Sequence, residues 1–469
     1  PRTESFCRLA VLATAAFVLL LSLDAPLLEP EEVRYADISR QMLETNQFVV
    51  PYLDGKPYLD KPPLLYWVIM GSYRLFGVSE MAARLPVALM AWATVAVVGW
   101  WGCAVFGWRA GCASAAVLCL SADFVYRARL VTMNVPLMLF VAIALAAAQV
   151  AQHGVRLNRR LWVVSAAAAG LGILSKGPVA AAIIALPMVA YPFVGAEIAR
   201  TRLRDWLVYC VIAGVVAAPW FIAAMILQPG FSRYFFWTHH VERFVTPFDH
   251  AKPFWYYLPQ LVVGIMPWPV VVIAGWRSRQ YRLGFLRGPL TLCVVAIAWT
   301  FLFFSASGCK RSVYLLPIYP MSAFVLGALI ASFGDSHRRL AGGIGIAVFL
   351  ATVVGLGVVF PRYAGRFSSA ELIVSDRHVA AGMPAYSYGR ENNAVSFYLR
   401  RNDVRVLSSQ QAASGLETAA WVFVRRDSDL HELTSSLPPT RKFHPRRHLN
   451  GMTVGIIGAA GRSPHAEIP

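Results

Sequence analysis

The sequence predicts a polytopic α-helical membrane protein of about 11 transmembrane helices with a small C-terminal α/β domain on the extracytoplasmic side. Three observations carry this. The 469 residues are 57% hydrophobic and only 14% charged, with a mean hydropathy of +0.53, whereas a soluble domain carries about 25% charged residues. Apolar runs approaching the ~20 residues that cross a bilayer recur along most of the chain. After Phe360 hydropathy falls, and short alternating segments such as Ala385–Tyr388 and Trp421–Val424 follow. Alternation of that kind is the mark of half-buried strands.

Spans are expected at about 8–24, 85–106, 109–126, 133–151, 161–175, 178–195, 206–227, 256–275, 289–306, 312–333 and 340–360. The first is expected to be retained, because no small-residue cleavage site follows it. The short connections on one side hold thirteen arginines, including Arg159, Arg160, Arg279 and Arg282, against five basic residues on the other. The arginine-rich side is therefore expected to be cytoplasmic. Loops 25–84 and 228–255 then face outward, in a transmembrane domain of residues 1–361, and 362–469 form the outer domain. The localisation expected is the cytoplasmic (inner) membrane. The net charge of +18 follows from these arginines, so no nucleic-acid partner is expected. The seven cysteines show no metal spacing.

The polar chemistry is concentrated in few places. The chain has 37 arginines and 6 lysines, and Lys56, Lys61, Lys176, Lys252 and Lys310 all fall on the expected outer face. Lysine is a compact charge suited to phosphate. Glu31 and Glu32 follow Pro30, as at a helix start, where acids complement the helix dipole. Beside Arg34 they equally suit a group-transfer site. Tyr35, Ile38 and Met42 form an apolar stripe expected to lie on the membrane surface.

Asp60-Lys61-Pro62-Pro63 then stiffens the backbone around one lysine. Loop 228–255 is aromatic enough for an interfacial belt, but anchoring does not require His239, His240, Glu242 or Arg243. Asp60 with His240 could hold a divalent metal; no cofactor is otherwise implied. Lys310 and Arg311 open the span that continues Tyr314-Leu-Leu-Pro, close to where a lipid headgroup would lie.

These blocks, in this order, resemble the GT-C superfamily of polyprenyl-phosphate-sugar-dependent glycosyltransferases. Within it they resemble most the bacterial aminoarabinose (lipid A) transferases and the protein O-mannosyltransferases. The resemblance rests on residues 29–40, Tyr-Leu-Asp-Lys-Pro at 58–62, Lys-Gly at 176–177, and the aromatic-His-His block at 234–244. It continues through Pro-Phe-Trp-Tyr-Tyr-Leu-Pro at 253–259 and Lys-Arg-Ser-Val-Tyr-Leu-Leu-Pro at 310–317.

It implies inverting transfer of a sugar from an undecaprenyl-phosphate-type donor to a lipid, glycan or protein acceptor. It puts Glu31, with Glu32 beside it, at the catalytic acid position. Donor-phosphate contacts carry over to Arg34, Tyr58, Lys61, Arg243, Lys310 and Tyr314. Asn134 stands where the family has a second acid, and Asp60 where it has a metal-contacting glutamate. The alternatives are a transporter or flippase of lipid-linked sugars and a catalytically inactive donor-binding homologue. Transporters keep charges near the bilayer midplane and often carry internal repeats. Here the charges lie at the outer ends of spans.

Overall fold

The computed structural model describes residues 2–53, 55–194, 198–246, 250–278, 283–390, 392–414, 416 and 418–460. Arg279 and Arg282 lie outside them. The chain divides into two compact units. The first comprises residues 1–23, 59–68 and 84–357, and the second residues 24–58, 69–83 and 358–469.

The first unit is helical. Its longest apolar helices include Glu80–Phe106, Asn134–Gln152, Leu203–Leu227 and Gly288–Ala306. Across the described residues six helices are long and apolar enough to cross a membrane. A seventh crossing results if Phe254–Gly264 and Trp268–Gly275, bent by 73°, act as one span. Leu64–Phe76, Pro178–Phe193 and Ile318–Ala331 are apolar but shorter.

Residues 109–126, expected as one span, are two helices, Trp108–Cys119 and Ala122–Arg127, interrupted at Leu120 and Ser121. Twelve helical residues extend about 18 Å, well short of the ~30 Å hydrocarbon core. Hydropathy detects the apolar run but not the break in it.

The unit is held by small-residue packing. Asn134–Gln152 lies against Arg159–Lys176, which starts where the Asn158 side chain accepts the Arg160 and Leu161 N–H groups. Ala144, Ala148, Ala166 and Ala169 are buried in this region. Small side chains let helix backbones approach closely where lipid supplies no hydrophobic drive. Two polar contacts add to this packing: Trp101 Nε1 donates to Gln149 Oε1 at 2.7 Å and Ser165 Oγ to the Ala144 carbonyl at 2.7 Å.

The second unit contains a five-stranded mixed sheet. Besides a two-stranded ribbon of β1 (Tyr52–Leu53) and β2 (Lys56–Pro57), it has β3 (Ala385–Tyr388), β4 (Arg405–Leu407), β5 (Ala420–Val424), β6 (Arg441–Leu449) and β7 (Met452–Ala459). The order is β4-β3-β5-β7-β6. β3 pairs parallel with β4 and β5, while β7 is antiparallel to β5 and β6. β5, Ala-Trp-Val-Phe-Val, is buried along its whole length, as an apolar run covered on both faces should be. Trp421 Nε1 donates to Asp376 Oδ2 at 2.9 Å, and Arg446 Nε to Asp376 Oδ1 at 3.0 Å. One arginine of the basic run 441–448 is thus used structurally.

Helix Glu31–Glu44 belongs to this unit and packs on Asn393–Leu399. Tyr35, Ile38 and Met42 are buried by protein. The expected membrane-surface stripe is instead a tertiary contact. Amphipathicity alone does not say what covers an apolar face.

Candidate functional site

In the first unit the Asp60-Lys61-Pro62-Pro63 segment brings Lys61 against a ten-residue π-helix, Arg233–Glu242. π-Geometry is rare and is often found at functional sites. The segment read from sequence as a loop is therefore helical. Phe235 is fully buried and stacks on Phe231 with ring centroids 5.2 Å apart, which anchors the helix.

Lys61 Nζ lies 2.7 Å from His239 Nε2. An ammonium group has only donors, so Nε2 accepts and the His239 proton sits on Nδ1. Nδ1 lies 3.9 Å from Asp60 Oδ1, which also accepts the Tyr234 hydroxyl at 2.5 Å. Arg243 Nη1 is 3.5 Å from the same His239 Nε2. Burial, then Lys61, His240, Arg243 and Lys176, push the His239 pKa far down. His239 is a neutral acceptor that spaces two cations.

Lys176 completes the cluster. It ends helix Arg159–Lys176, donates to Asn134 Oδ1 at 2.5 Å, and lies 3.9 Å from the centroid of the Tyr314 ring. The cation–π contact offsets part of the cost of burying the ammonium. Gly177, at φ +69°, turns the chain away, and a Cβ there would stand 2.8 Å from the Phe235 ring. Lys61, Lys176, His239, His240, Arg243 and Tyr314 share the lining of a cavity of about 80 Å³, with Asp60, Ser307 and Cys309. Three cations against one carboxylate give this cavity a net positive lining, of the kind that suits an anion.

Several expected residues sit differently. Lys310 is outside this lining: it is buried and donates back to the Ser307 carbonyl. Lys176, which sequence reasoning left out of the site, takes the place expected of it. His240, expected beside Asp60, has its ring nitrogens engaged by backbone groups of Phe235 and Lys176. The histidine facing Asp60 is His239. Among the described residues no group of three His, Cys, Asp or Glu could hold a metal ion. The Asp60–His240 pair thus does not fit a metal.

The remaining expected residues belong to the second unit. Glu32 is buried, and its Oε2 accepts the Leu28 N–H at 2.8 Å. That contact closes the turn before the helix. Glu31 is half-buried at the same helix start. Arg34 lies one turn on and hydrogen-bonds Tyr58. Burial opposes the Arg34 charge, but Tyr58, Tyr35 and Glu31 outweigh it and raise its pKa.

His239 gives a test of this electrostatic picture. Its folded pKa lies below the unfolded value of about 6.5. As pH falls through that value the unfolded chain binds the proton first, so stability is lost toward acid. The melting temperature of the parent should fall more steeply below about pH 6.5 than that of His239→Gln. Equal slopes would show that His239 is not held neutral.

The arrangement is that of a GT-C-type membrane fold with a phosphate-sized cationic pocket. Comparison with known proteins agrees. Residues 60–226 match the family model of dolichyl-phosphate-mannose-protein mannosyltransferases, and 251–398 that of Alg9-like mannosyltransferases. The chain resembles in particular the undecaprenyl phosphate-α-4-amino-4-deoxy-L-arabinose arabinosyl transferases. It is 34% identical to the Aeromonas salmonicida protein over 66% of this chain and 57% of that one. For the Yersinia pestis protein the figures are 32%, 75% and 66%. The chain thus spans about three-fifths of the length of these relatives. ArnT from Cupriavidus metallidurans, bound to undecaprenyl phosphate, shares the fold with a TM-score of 0.79 at 22% identity, covering 97% of this chain and 98% of that one. Mycobacterial arabinofuranosyltransferase AftD matches at a TM-score of 0.56 and 14% identity, over 98% of this chain and 40% of that one.

Proposed function

We propose that this chain transfers a sugar from a polyprenyl-phosphate donor to a lipid, glycan or protein acceptor, with inversion, at the outer face of the cytoplasmic membrane. The observation that carries this is the convergence of Lys61, Lys176 and Arg243 on one small cavity. Cleaving the sugar–phosphate bond leaves its electron pair on the polyprenyl phosphate. Preorganised cations where that charge develops are usually the largest catalytic contribution. The relatives point to 4-amino-4-deoxy-L-arabinose as the sugar and undecaprenyl phosphate as the carrier.

Glu31 is the residue the resemblance offers as base. It would take the proton of the attacking acceptor hydroxyl or amine, a step typically worth about 10²–10⁴-fold. Arg34 and Tyr58 lie on the same unit as Glu31. Asn134 carries no charge to give and instead positions Lys176. The polar clusters fit a transferase better than a transporter, because they line small pockets rather than a path through the bundle.

The test is a transfer assay of the purified protein with radiolabelled polyprenyl-phosphate aminoarabinose and a lipid acceptor. Release of polyprenyl phosphate coupled to labelled acceptor is expected. Donor binding without release, under conditions that support a related enzyme, would leave only a donor-binding protein.

The orientation and the eleven crossings are part of the same proposal, with the run at 109–126 crossing as the broken pair Trp108–Cys119 and Ala122–Arg127. The arginine count supports them, with 1–361 as the membrane domain and 362–469 outside. Ser435 is exposed on helix Asp427–Ser436. In intact cells Ser435→Cys should therefore gain reactivity with a membrane-impermeant maleimide over the parent chain. Labelling only after the membrane is permeabilised would reverse the topology.

A further inference from the structure

An apolar cavity in the first unit shares no lining residue with the pocket around Lys61. It encloses about 690 Å³ between helices Arg2–Leu20, Trp108–Cys119 and Asp335–Val354, within the ~300–1,000 Å³ range of small-molecule sites. The small side chains of Ala10, Ala113 and Ala116, with Gly342, leave the space. At Gly342 a Cβ would meet nothing within 4 Å. At Gly345 the walls close, and a Cβ would stand 3.7 Å from Leu120 Cδ1 and 3.8 Å from Trp268 Cη2. Further along, Phe17 and Phe349 bring the first helix and Asp335–Val354 together, with ring centroids 6.2 Å apart.

Two features distinguish this groove from plain apolar surface. Arg109 and Arg338 line it, and its described lining holds no carboxylate. Asp335, just outside, pairs with Arg338 and also faces the charges of Arg109 and Arg339. One carboxylate among three guanidinium groups leaves a positive mouth. The second feature is Trp268. It is 3% exposed, and its Nε1 has no hydrogen-bond acceptor among the described residues. Buried donors are normally paired, and in hydrocarbon no water can stand in. Gly345, beside the Trp268 ring, lies seven residues past Arg338 and so about 10 Å along the helix. A positive mouth, an unmet donor deeper in and apolar walls complement a phosphodiester, an ester carbonyl and an acyl chain, in that order.

We propose that this groove is a resident site for an anionic glycerophospholipid, taken from the leaflet on the arginine-rich side. Its phosphate lies against Arg109 and Arg338, and one ester carbonyl accepts the Trp268 N–H. An acyl chain fills the space between the first helix and Asp335–Val354. Basic pockets between spanning helices suit acidic lipid headgroups for the same electrostatic reason. The lipid thereby joins helix Arg2–Leu20 to the bundle.

The test is titration of the delipidated full chain in detergent, read by native mass spectrometry. The probes are dioleoyl phosphatidylglycerol, its dioleyl ether analogue, dioleoyl phosphatidylcholine and undecaprenyl phosphate. The parent is expected to bind phosphatidylglycerol at least about tenfold more tightly than phosphatidylcholine, the effect typical of a charge-assisted contact. Arg109→Gln/Arg338→Gln should bring these two lipids within about twofold of each other. Gly342→Leu fills the groove on a helix that favours leucine over glycine, and should weaken phosphatidylglycerol at least about tenfold. It should leave undecaprenyl phosphate binding at the parental level. The ester lipid should bind several-fold more tightly than the ether in the parent, and equally in Trp268→Phe.

Parental phosphatidylglycerol binding by Gly342→Leu would put the lipid elsewhere on the protein and overturn the site. Equal affinity of the parent for the two headgroups overturns the anionic lipid. Loss of undecaprenyl phosphate in Gly342→Leu would make the groove a path for the polyprenyl chain, which also overturns the proposal. Ester and ether lipids binding equally to the parent would remove Trp268 from the site.

Discussion

Lys61→Ala should abolish sugar transfer while leaving the fold intact. Lys61 is held between Asp60 and two prolines, with its ammonium 2.7 Å from a histidine that accepts. Removing one charge-assisted contact to phosphate costs about 1.5–3 kcal/mol, or roughly 10- to 150-fold at 1.4 kcal/mol per decade. In a cavity of about 80 Å³ little water can replace the lost charge, so the effect on the chemical step should exceed that on binding. Lys61→Arg should recover only part, because a planar guanidinium cannot replace a compact ammonium at the same distance.

A structural role would not move the second readout. Burial is the main cause of the low His239 pKa, and Lys61 is the next. In Lys61→Ala the His239 imidazole should therefore titrate at higher pH, as followed by its NMR shifts. Lys252, exposed and outside the cavity lining, supplies the control, since Lys252→Ala should transfer at the parental rate. Parental transfer by Lys61→Ala would remove the phosphate role from the lysine on which the proposal leans most.

The neighbourhood of Lys61 was legible in the sequence because two prolines and an acid fix a charge locally, whatever the fold. Membrane class and the presence of a terminal sheet were legible for a similar reason: hydropathy and alternation are properties of short windows. Tertiary direction is not. Lys310 and Lys176 look alike in sequence, each in a polar break between apolar runs. Only the fold turns Lys310 onto its own Ser307 carbonyl and Lys176 toward Tyr314. His239 and His240 are adjacent, and a one-residue choice between them depends on π-helical geometry that no periodicity announces. Span lengths failed where a break such as Leu120–Ser121 sits inside a continuous apolar run. Helix Glu31–Glu44 had the amphipathic pattern of a surface helix, but it is packed within protein, and the reason is polar.

That reason is Arg40, and Arg40→Met should destabilise the second unit strongly. Its guanidinium is fully buried. It donates through Nε to Asp37 Oδ1 at 2.8 Å, through Nη1 to Glu44 Oε2 at 2.7 Å, and through Nη2 to Asn402 Oδ1 at 2.8 Å and the Arg401 carbonyl at 3.2 Å. Burial opposes the charge, yet Asp37 and Glu44 outweigh it and raise the Arg40 pKa. One side chain thus ties the helix to the segment after Asn393–Leu399. Methionine fills similar volume but leaves Asp37 a buried carboxylate without its arginine partner, while the Gln41 amide still donates to it at 2.8 Å. Breaking a buried ion pair from one side costs about 3–5 kcal/mol. For a unit of this size that is a fall in melting temperature of roughly 6–20 °C. Removing both charges should cost less than removing Arg40 alone, so Asp37→Asn in the Arg40→Met background should recover part of the loss. Thermal unfolding followed by protease sensitivity of the sheet would measure both. An Arg40→Met protein that melts with its parent, or a double variant worse than the sum of the two singles, would mean that apolar packing of Tyr35, Ile38 and Met42 holds this helix without the buried pair.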